Sequence, residues 1–247
     1  FIYLLNSSHH INTFFNMNLG NYSKQIIGYL KNCKTPRNST VFKGKTYEHT
    51  VKRELVFKLL PFCDTKALNF SNAYDSAYSH LLEGYVKEDQ HSLNNFSKLA
   101  AYYNEKMKVV GQSFDKGVDI VGSLDDKTVV IVQCKNYTMK KITGKEIREC
   151  VGITSLYKTT NFQQQSLTII ASPSGITEDA IGDMNKFPLN MIYVQISHLV
   201  VPVNIEMENE KDAQSLLTKL SQSGQLINFI ENKKCHKTFN FTKHVVL

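Results

Sequence analysis

The most constraining stretch of this sequence is Thr128-Val129-Val130-Ile131-Val132, an unbroken β-branched run that continues through Gln133 and Cys134 to Lys135. Branching at Cβ disfavours helix and suits a pleated surface, and a run apolar on both alternating faces must be covered from both sides. Thr128 to Lys135 is therefore predicted as an interior strand. Just before it, Gly117-Val118-Asp119-Ile120-Val121-Gly122 reads as a short strand, and Ser123-Leu124-Asp125-Asp126-Lys127 as the turn that joins the two into a hairpin. After it come a helix capped by Thr143 and running to about Tyr157, a strand from Leu167 to Ala171, a helix from about Thr177 to Lys186, and a strand from Met191 to Ile196. A hairpin followed by this βαβαβ rhythm predicts an α/β fold, a mixed sheet flanked by helices.

Upstream, Tyr47, Val51, Leu55 and Leu59 recur at a spacing of four and mark the buried stripe of a helix. Thr46 stands where a cap is expected and Pro61 where the helix should stop. Glu48 lies about 100° round from Tyr47, at the edge of the stripe. Residues 64–108 are polar and aromatic, with helices expected near Ala73 to Tyr85 and Ser92 to Tyr103. The tail suggests a helix near Asp212 to Leu220 and a terminal strand from Thr238 to Val246.

Charge is distributed unevenly. All six charged residues before Glu48 are basic (Lys24, Lys31, Lys34, Arg37, Lys43 and Lys45), so the net charge of +7 belongs almost wholly to this arm. The rest is nearly neutral, and any polyanion contact there must come from a local patch. An acid-free, Ser- and Asn-rich basic N-terminus has the composition of a mitochondrial transit segment, with an ordinary basic arm as the competing reading. Phe1-Ile2-Tyr3-Leu4-Leu5 is too short for a secretory signal and lacks its charged flank. Thr35-Pro36-Arg37-Asn38-Ser39-Thr40 reads as a linker, giving residues 1–40 as targeting arm and linker, 41–247 as the folded domain, and 64–108 as a helical insertion within it. No apolar run reaches the ~18 residues needed to span a bilayer. The five cysteines form no CxxC pair and are expected to be plain thiols.

The chemistry gathers at the hairpin. Alternation puts Gln133 and Lys135 on one face of their strand, and the short turn sets Asp119 roughly opposite Gln133. An acid, an amide and an amine thus converge at the end of apolar strands, where burial is costly unless they pair or hold an ion. Phosphodiester hydrolysis with Mg²⁺ or Mn²⁺ needs such a set. Asp119, the main-chain carbonyl of Cys134 and Glu48 would be oxygen ligands, Gln133 a weaker one, and Lys135 would orient the nucleophile or neutralise developing charge. An incidental ion pair at a polar hairpin end is the competing reading, as is Glu48 serving only the dipole of its helix. Asp115 is read as a turn former, Glu146 and Lys145 as the solvated first turn of their helix, His49 and His198 as structural, and Ser172-Pro173-Ser174-Gly175 as a loop.

Gly111-Gln112-Ser113-Phe114-Asp115-Lys116 running into Gly117 to Gly122, followed by Val132-Gln133-Cys134-Lys135-Asn136-Tyr137, resembles the core of Mrr-type restriction endonucleases. That group belongs to the PD-(D/E)xK superfamily and carries QxK in place of a second acid. Tyr47-Glu48 resembles the aromatic-Glu pair that begins its first helix, and Lys145-Glu146-Ile147-Arg148-Glu149 the start of the helix after the hairpin. The resemblance covers about 45–60 and 109–198. It implies a restriction-endonuclease-like fold, Asp119, Gln133, Lys135 and Glu48 as catalytic residues, a Mg²⁺ (or Mn²⁺) ion, and DNA as partner.

Ser39 to Gly44 leading into Tyr47-Glu48 and Val51-Lys52-Arg53-Glu54-Leu55, with Val132 to Lys135 and Arg148-Glu149-Cys150-Val151-Gly152, is similar to the fungal "required for respiratory growth" proteins that carry this nuclease-like domain. That likeness implies mitochondrial residence and a part in respiratory competence through mitochondrial DNA. A DNA-binding module without catalysis and a scaffold for respiratory assembly stand as alternatives to the nuclease.

Overall fold

The computed structural model of the chain describes residues 39–60, 102–110, 117–125, 127–159, 165–199 and 223–239. Residues 1–38 of the basic arm, the segment from Gly111 to Lys116 with Asp115, and the expected helices at Ala73 to Tyr85 and Asp212 to Leu220 lie outside them, while Lys43 and Lys45 fall within the first helix. Of the helix expected at Ser92 to Tyr103, only its end is described, within a helical turn over 102–106.

Helix α1 spans Thr40–Glu54 and continues through a π turn, Leu55–Leu59. It begins two turns before the cap expected at Thr46. Ser39 caps it instead, its hydroxyl accepting the Phe42 N–H at 3.1 Å, while Thr46 is buried mid-helix and donates to the Phe42 carbonyl at 2.8 Å. Gly44 marks no boundary, because it lies on a face where a Cβ would meet nothing within 4 Å. Val51, Leu55, Val56 and Leu59 are fully buried, each stabilising the fold by about 1.5–3 kcal/mol.

Among the described residues six strands follow in spatial order: β1 (Lys108–Val109), β2 (Ile120–Ser123), β3 (Thr128–Cys134), β4 (Gln165–Ser172), β5 (Asn190–Ile196) and β6 (Leu226–Glu231). The β1–β2, β2–β3 and β5–β6 pairs are antiparallel, and β3–β4 and β4–β5 are parallel. This is the mixed α/β sheet expected from the sequence. Helix α2 (Gly144–Thr159) joins β3 to β4, and α3 (Glu178–Lys186), capped by Thr177, joins β4 to β5. Both pack on one face over Ile170, Met191 and Tyr193, while α1 covers the other over Val130, Val132, Ile169 and Val194. The central strands are apolar on both faces for this reason.

Two polar devices close the body. Arg53 and Glu54, almost fully buried, pair at 3.0 Å; the guanidinium donates to the carbonyls of Ser223 (3.0 Å) and Gly224 (2.7 Å), and Glu54 accepts the Leu226 N–H at 2.8 Å. The start of β6 is thereby tied to α1. Gly224 has φ +69°, a left-handed conformation that glycine adopts without strain. Asn232 then caps α4 (Lys233–Thr238), accepting from Cys235 N–H and Met191 N–H and donating to the Met184 and Leu189 carbonyls. Thr238, expected to open a terminal strand, ends this helix; Asn232 is a strong cap that the β-rich tail composition obscures. Beyond Phe239 the expected strand lies outside the described residues.

Candidate active site

The register pairs Ile120 with Val132, which sets Asp119 opposite Gln133 as the hairpin predicts. At Asp119 the ladder gives way. Its N–H donates to the Val132 carbonyl at 3.0 Å, and its side-chain Oδ2 accepts the Cys134 N–H at 2.6 Å. The carboxylate therefore occupies the opening between the parting strands, beside the residue that separates Gln133 from Lys135. Gly117, at φ +84°, starts this departure, and a Cβ there would stand 2.8 Å from Ile153 Cδ1. In an extended residue N–H and C=O point to the same neighbour, so the Cys134 carbonyl faces the flank where the Asp119 carboxylate sits.

Gln133 is buried, and its Oε1 has no hydrogen-bond partner. Buried acceptors are normally satisfied, so this orphaned oxygen, on the residue that the register sets opposite Asp119, is the strongest local sign that the site takes a ligand. Lys135 continues the strand, its N–H donating to Ala171 O at 2.8 Å, and its ammonium reaches the Glu149 carboxylate on α2 at 3.1 Å. Glu149 also lies 3.9 Å from Lys145. The sequence places Glu149 on the helix after the hairpin but gives it no role; its spacing from Lys135 in the chain carries no signal of the contact.

Glu48 comes from α1, on the opposite face. It is buried in the middle of the helix, not in its first turn, so its charge does not serve the helix dipole. Lys45 pairs with it at 2.8 Å. Burial pushes the Cys134 thiol well up, and the negative charges of Asp119 and Glu48 push it further. Tyr47, beside Glu48, is buried and donates to Ile196 O at 3.1 Å, which seats α1 on the sheet.

Helix α2 is aimed by Glu146, which is buried and not on the solvated turn expected from the sequence. Its carboxylate accepts the Thr143 N–H (2.9 Å), the Thr143 hydroxyl (2.6 Å) and the Lys140 ammonium (2.6 Å). Burial opposes the charge, but these donors outweigh it and hold the carboxyl at about 2. Cys150, one residue past Glu149, is pushed by burial to about 12. Cys134, Cys150 and Cys235 are free thiols, as expected. Burial and the nearby Lys52 and Lys45 lower His49 to about 4, so it is neutral at physiological pH, and His198 packs against the Tyr47 ring. Ser172 and Ser174 bond each other, and the Ser174 hydroxyl donates to Lys140 O at 2.6 Å, so this segment serves as a structural loop.

The donor set suits a hard divalent cation of the Mg²⁺ type, which takes one or two carboxylates, neutral oxygens and several waters. Asp119, the Cys134 carbonyl and the orphaned Gln133 Oε1 would hold such an ion, with Glu48 contributing charge from the other face. Among the described residues there is no group of three or more His, Cys, Asp or Glu placed to hold a metal, so the set depends on neutral oxygens. Among them, too, no helix is long and apolar enough to cross a membrane.

The family described as Required for respiratory growth protein 7 matches residues 124–239, a span that contains Gln133, Lys135 and Glu149 and begins after Asp119. The chain is similar to proteins named "Required for respiratory growth protein 7, mitochondrial". It is 32% identical to that of Lachancea thermotolerans over 215 residues, covering 85% of this chain and 77% of the relative. For Saccharomyces cerevisiae the identity is 27% over 222 residues, covering 84% and 81%. For Vanderwaltozyma polyspora it is 25% over 209 residues, covering 83% and 78%. No solved structure matches.

Proposed function

The chain belongs to the required for respiratory growth protein 7 family, a family of mitochondrial proteins, and from that premise we propose that it hydrolyses phosphodiester bonds in DNA with a divalent metal, in support of the mitochondrial genome. One observation carries this reading: the Asp119 carboxylate is fixed on the Cys134 N–H beside a buried Gln133 oxygen that lacks a partner. The likeness of the hairpin and its QxK to the Mrr-type branch of the PD-(D/E)xK superfamily supports a restriction-endonuclease-like domain. Residues 1–40 are proposed as the import arm and 64–108 as an insertion in that domain.

When bound, the ion would polarise the scissile phosphate and acidify a water molecule. Asp119 and the Cys134 carbonyl orient the reacting centre from the hairpin. Gln133 presents an oxygen without adding charge. The Lys135 ammonium donates to the attacking water or to the phosphoryl oxygens as negative charge builds there.

Purified protein incubated with plasmid and Mg²⁺ or Mn²⁺ tests the proposal. Cleavage is expected to fall by about 10²–10³-fold in Lys135→Ala, the scale of losing one charge-stabilising donor, and to vanish in Asp119→Ala. Cleavage that survives both substitutions would remove the assignment. Gln133, standing where relatives of the wider superfamily have a second acid, favours one other reading, a DNA-binding module without catalysis. Salt-dependent DNA binding with no cleavage under any divalent ion would select it.

A further inference from the structure

Lys135 does not stand in open solvent at the end of β3. Its ammonium is 3.1 Å from Glu149 Oε2, and Glu149 Oε1 faces Lys145 at 3.9 Å. The carboxylate is itself well placed. Glu149 follows by one turn the buried Glu146, whose bonds from Thr143, Lys140 and Tyr137 fix the start of α2, and the neighbouring Ile147 and Cys150 are fully buried in the core. Position 149 therefore cannot wander, although its side chain is 40% exposed. We propose that Glu149 is a positioning residue: it tethers the Lys135 ammonium from helix α2 so that the remaining donors of that amine point along the β3 terminus toward Asp119.

The assignment rests on the nuclease reading for its consequence, and on the ion-pair geometry alone for its existence. A pair this exposed adds little to stability; its effect is on where a flexible four-carbon side chain spends its time. Free of a tether, the lysine samples many rotamers, and small misplacements of a catalytic group cost large factors in rate.

Two readouts test it. The first is side-chain order at the Lys135 ε-carbon, measured by ¹³C relaxation in the full chain, with exposed Lys141 as an internal reference. Lys135 is expected to be more ordered than Lys141 in the wild type and to fall to the Lys141 level in Glu149→Ala. Order unchanged by Glu149→Ala overturns the proposal. The second is turnover of plasmid DNA with Mg²⁺. Glu149→Ala is expected to lower kcat by about 10- to 100-fold with KM nearly unchanged. Glu149→Gln, which keeps a hydrogen-bond acceptor at the same reach, should restore kcat to within about threefold of wild type, given that charge-assisted bonds are roughly twice as strong as neutral ones. The melting temperature of both should stay within about 4 °C, which separates positioning from a structural role. Wild-type kcat in Glu149→Ala, with Lys135→Ala inactive, contradicts the inference. Absence of cleavage by the wild type rejects the nuclease reading instead, and the order measurement still decides the tether.

Discussion

Replacing Arg53 by Met removes the centre of the latch between α1 and β6. The guanidinium contacts Glu54 Oε1 at 3.0 Å, Ser223 O at 3.0 Å and Gly224 O at 2.7 Å. Methionine fills much of the same volume, so the loss is chiefly electrostatic. What remains is a carboxylate with 3% side-chain exposure, supported only by Lys58 at 2.9 Å and the Leu226 N–H at 2.8 Å. Breaking a buried pair by deleting one partner costs about 3–5 kcal/mol, mostly the penalty of the charge left behind. For a body of this size that corresponds to a fall in Tm of about 6–20 °C. Burial alone would raise the Glu54 carboxyl, but the charges of Lys58 and Arg53 and the bonds from Lys58 and Leu226 hold it below its ordinary 4.5. A carboxyl lowered on folding contributes stability above that value and loses it as pH falls through the folded value, so the wild type should weaken more steeply than Arg53→Met below pH 4.5. Urea unfolding at pH 7, followed by circular dichroism, reads the main effect, and hydrogen exchange at the β6 amides reads its location. Adding Glu54→Gln should recover about half of the loss, because it removes the stranded charge and keeps an acceptor for Leu226. A cost below about 1 kcal/mol for Arg53→Met, or a double variant no more stable than the single, would refute the reasoning.

Other outcomes follow from particular contacts. Gly224→Ala puts a Cβ 2.5 Å from Thr50 Cγ2 at a φ of +69°, and should destabilise by about 2–4 kcal/mol in the same unfolding assay. Glu146→Gln should cost about 1–2 kcal/mol at neutral pH through the weakened cap of α2. It should also flatten the acid limb between pH 4.5 and about 2, because the lowered Glu146 carboxyl contributes above its ordinary value and loses that contribution on titrating through the folded one; urea midpoints taken against pH check both. Gln133→Glu turns the neutral oxygen at the site into a carboxylate, and calorimetry should find Mn²⁺ bound about tenfold more tightly, with an unchanged affinity counting against Gln133 as a ligand.

The sheet was legible because its signals are local. Thr128 to Cys134, Leu167 to Ala171 and Met191 to Ile196 are β-branched or apolar runs that become β3, β4 and β5; Thr143 stands at the start of α2 where a cap is expected, and the helix expected from about Thr177 begins there, with Thr177 as its cap. Alternation likewise sufficed to set Asp119 opposite Gln133. Thr46 suggests a later start for α1 than Ser39 does, because a glycine at position 44 is unfavourable inside a helix by about 1 kcal/mol, a cost that the buried stripe of α1 overrides. The sequence suggests a solvated Glu146 because its position in the first turn is ordinarily wet; its burial comes from Tyr137 and Lys140 in the loop before α2, which close over it. The Arg53–Glu54 latch and the Lys135–Glu149 contact depend on chain segments brought together only by the fold, and no spacing rule announces either.

The central claim is that the parting of β2 from β3 at Asp119 frames a divalent cation. A crystal soaked in Mn²⁺ tests it most directly through anomalous scattering. The expected result is a single strong peak about 2.1 Å from the Asp119 carboxylate and the Cys134 carbonyl, absent in crystals of Asp119→Ala. No peak there at saturating Mn²⁺, with the Asp119 side chain still bonded only to the Cys134 N–H and its protein surroundings, would contradict the account.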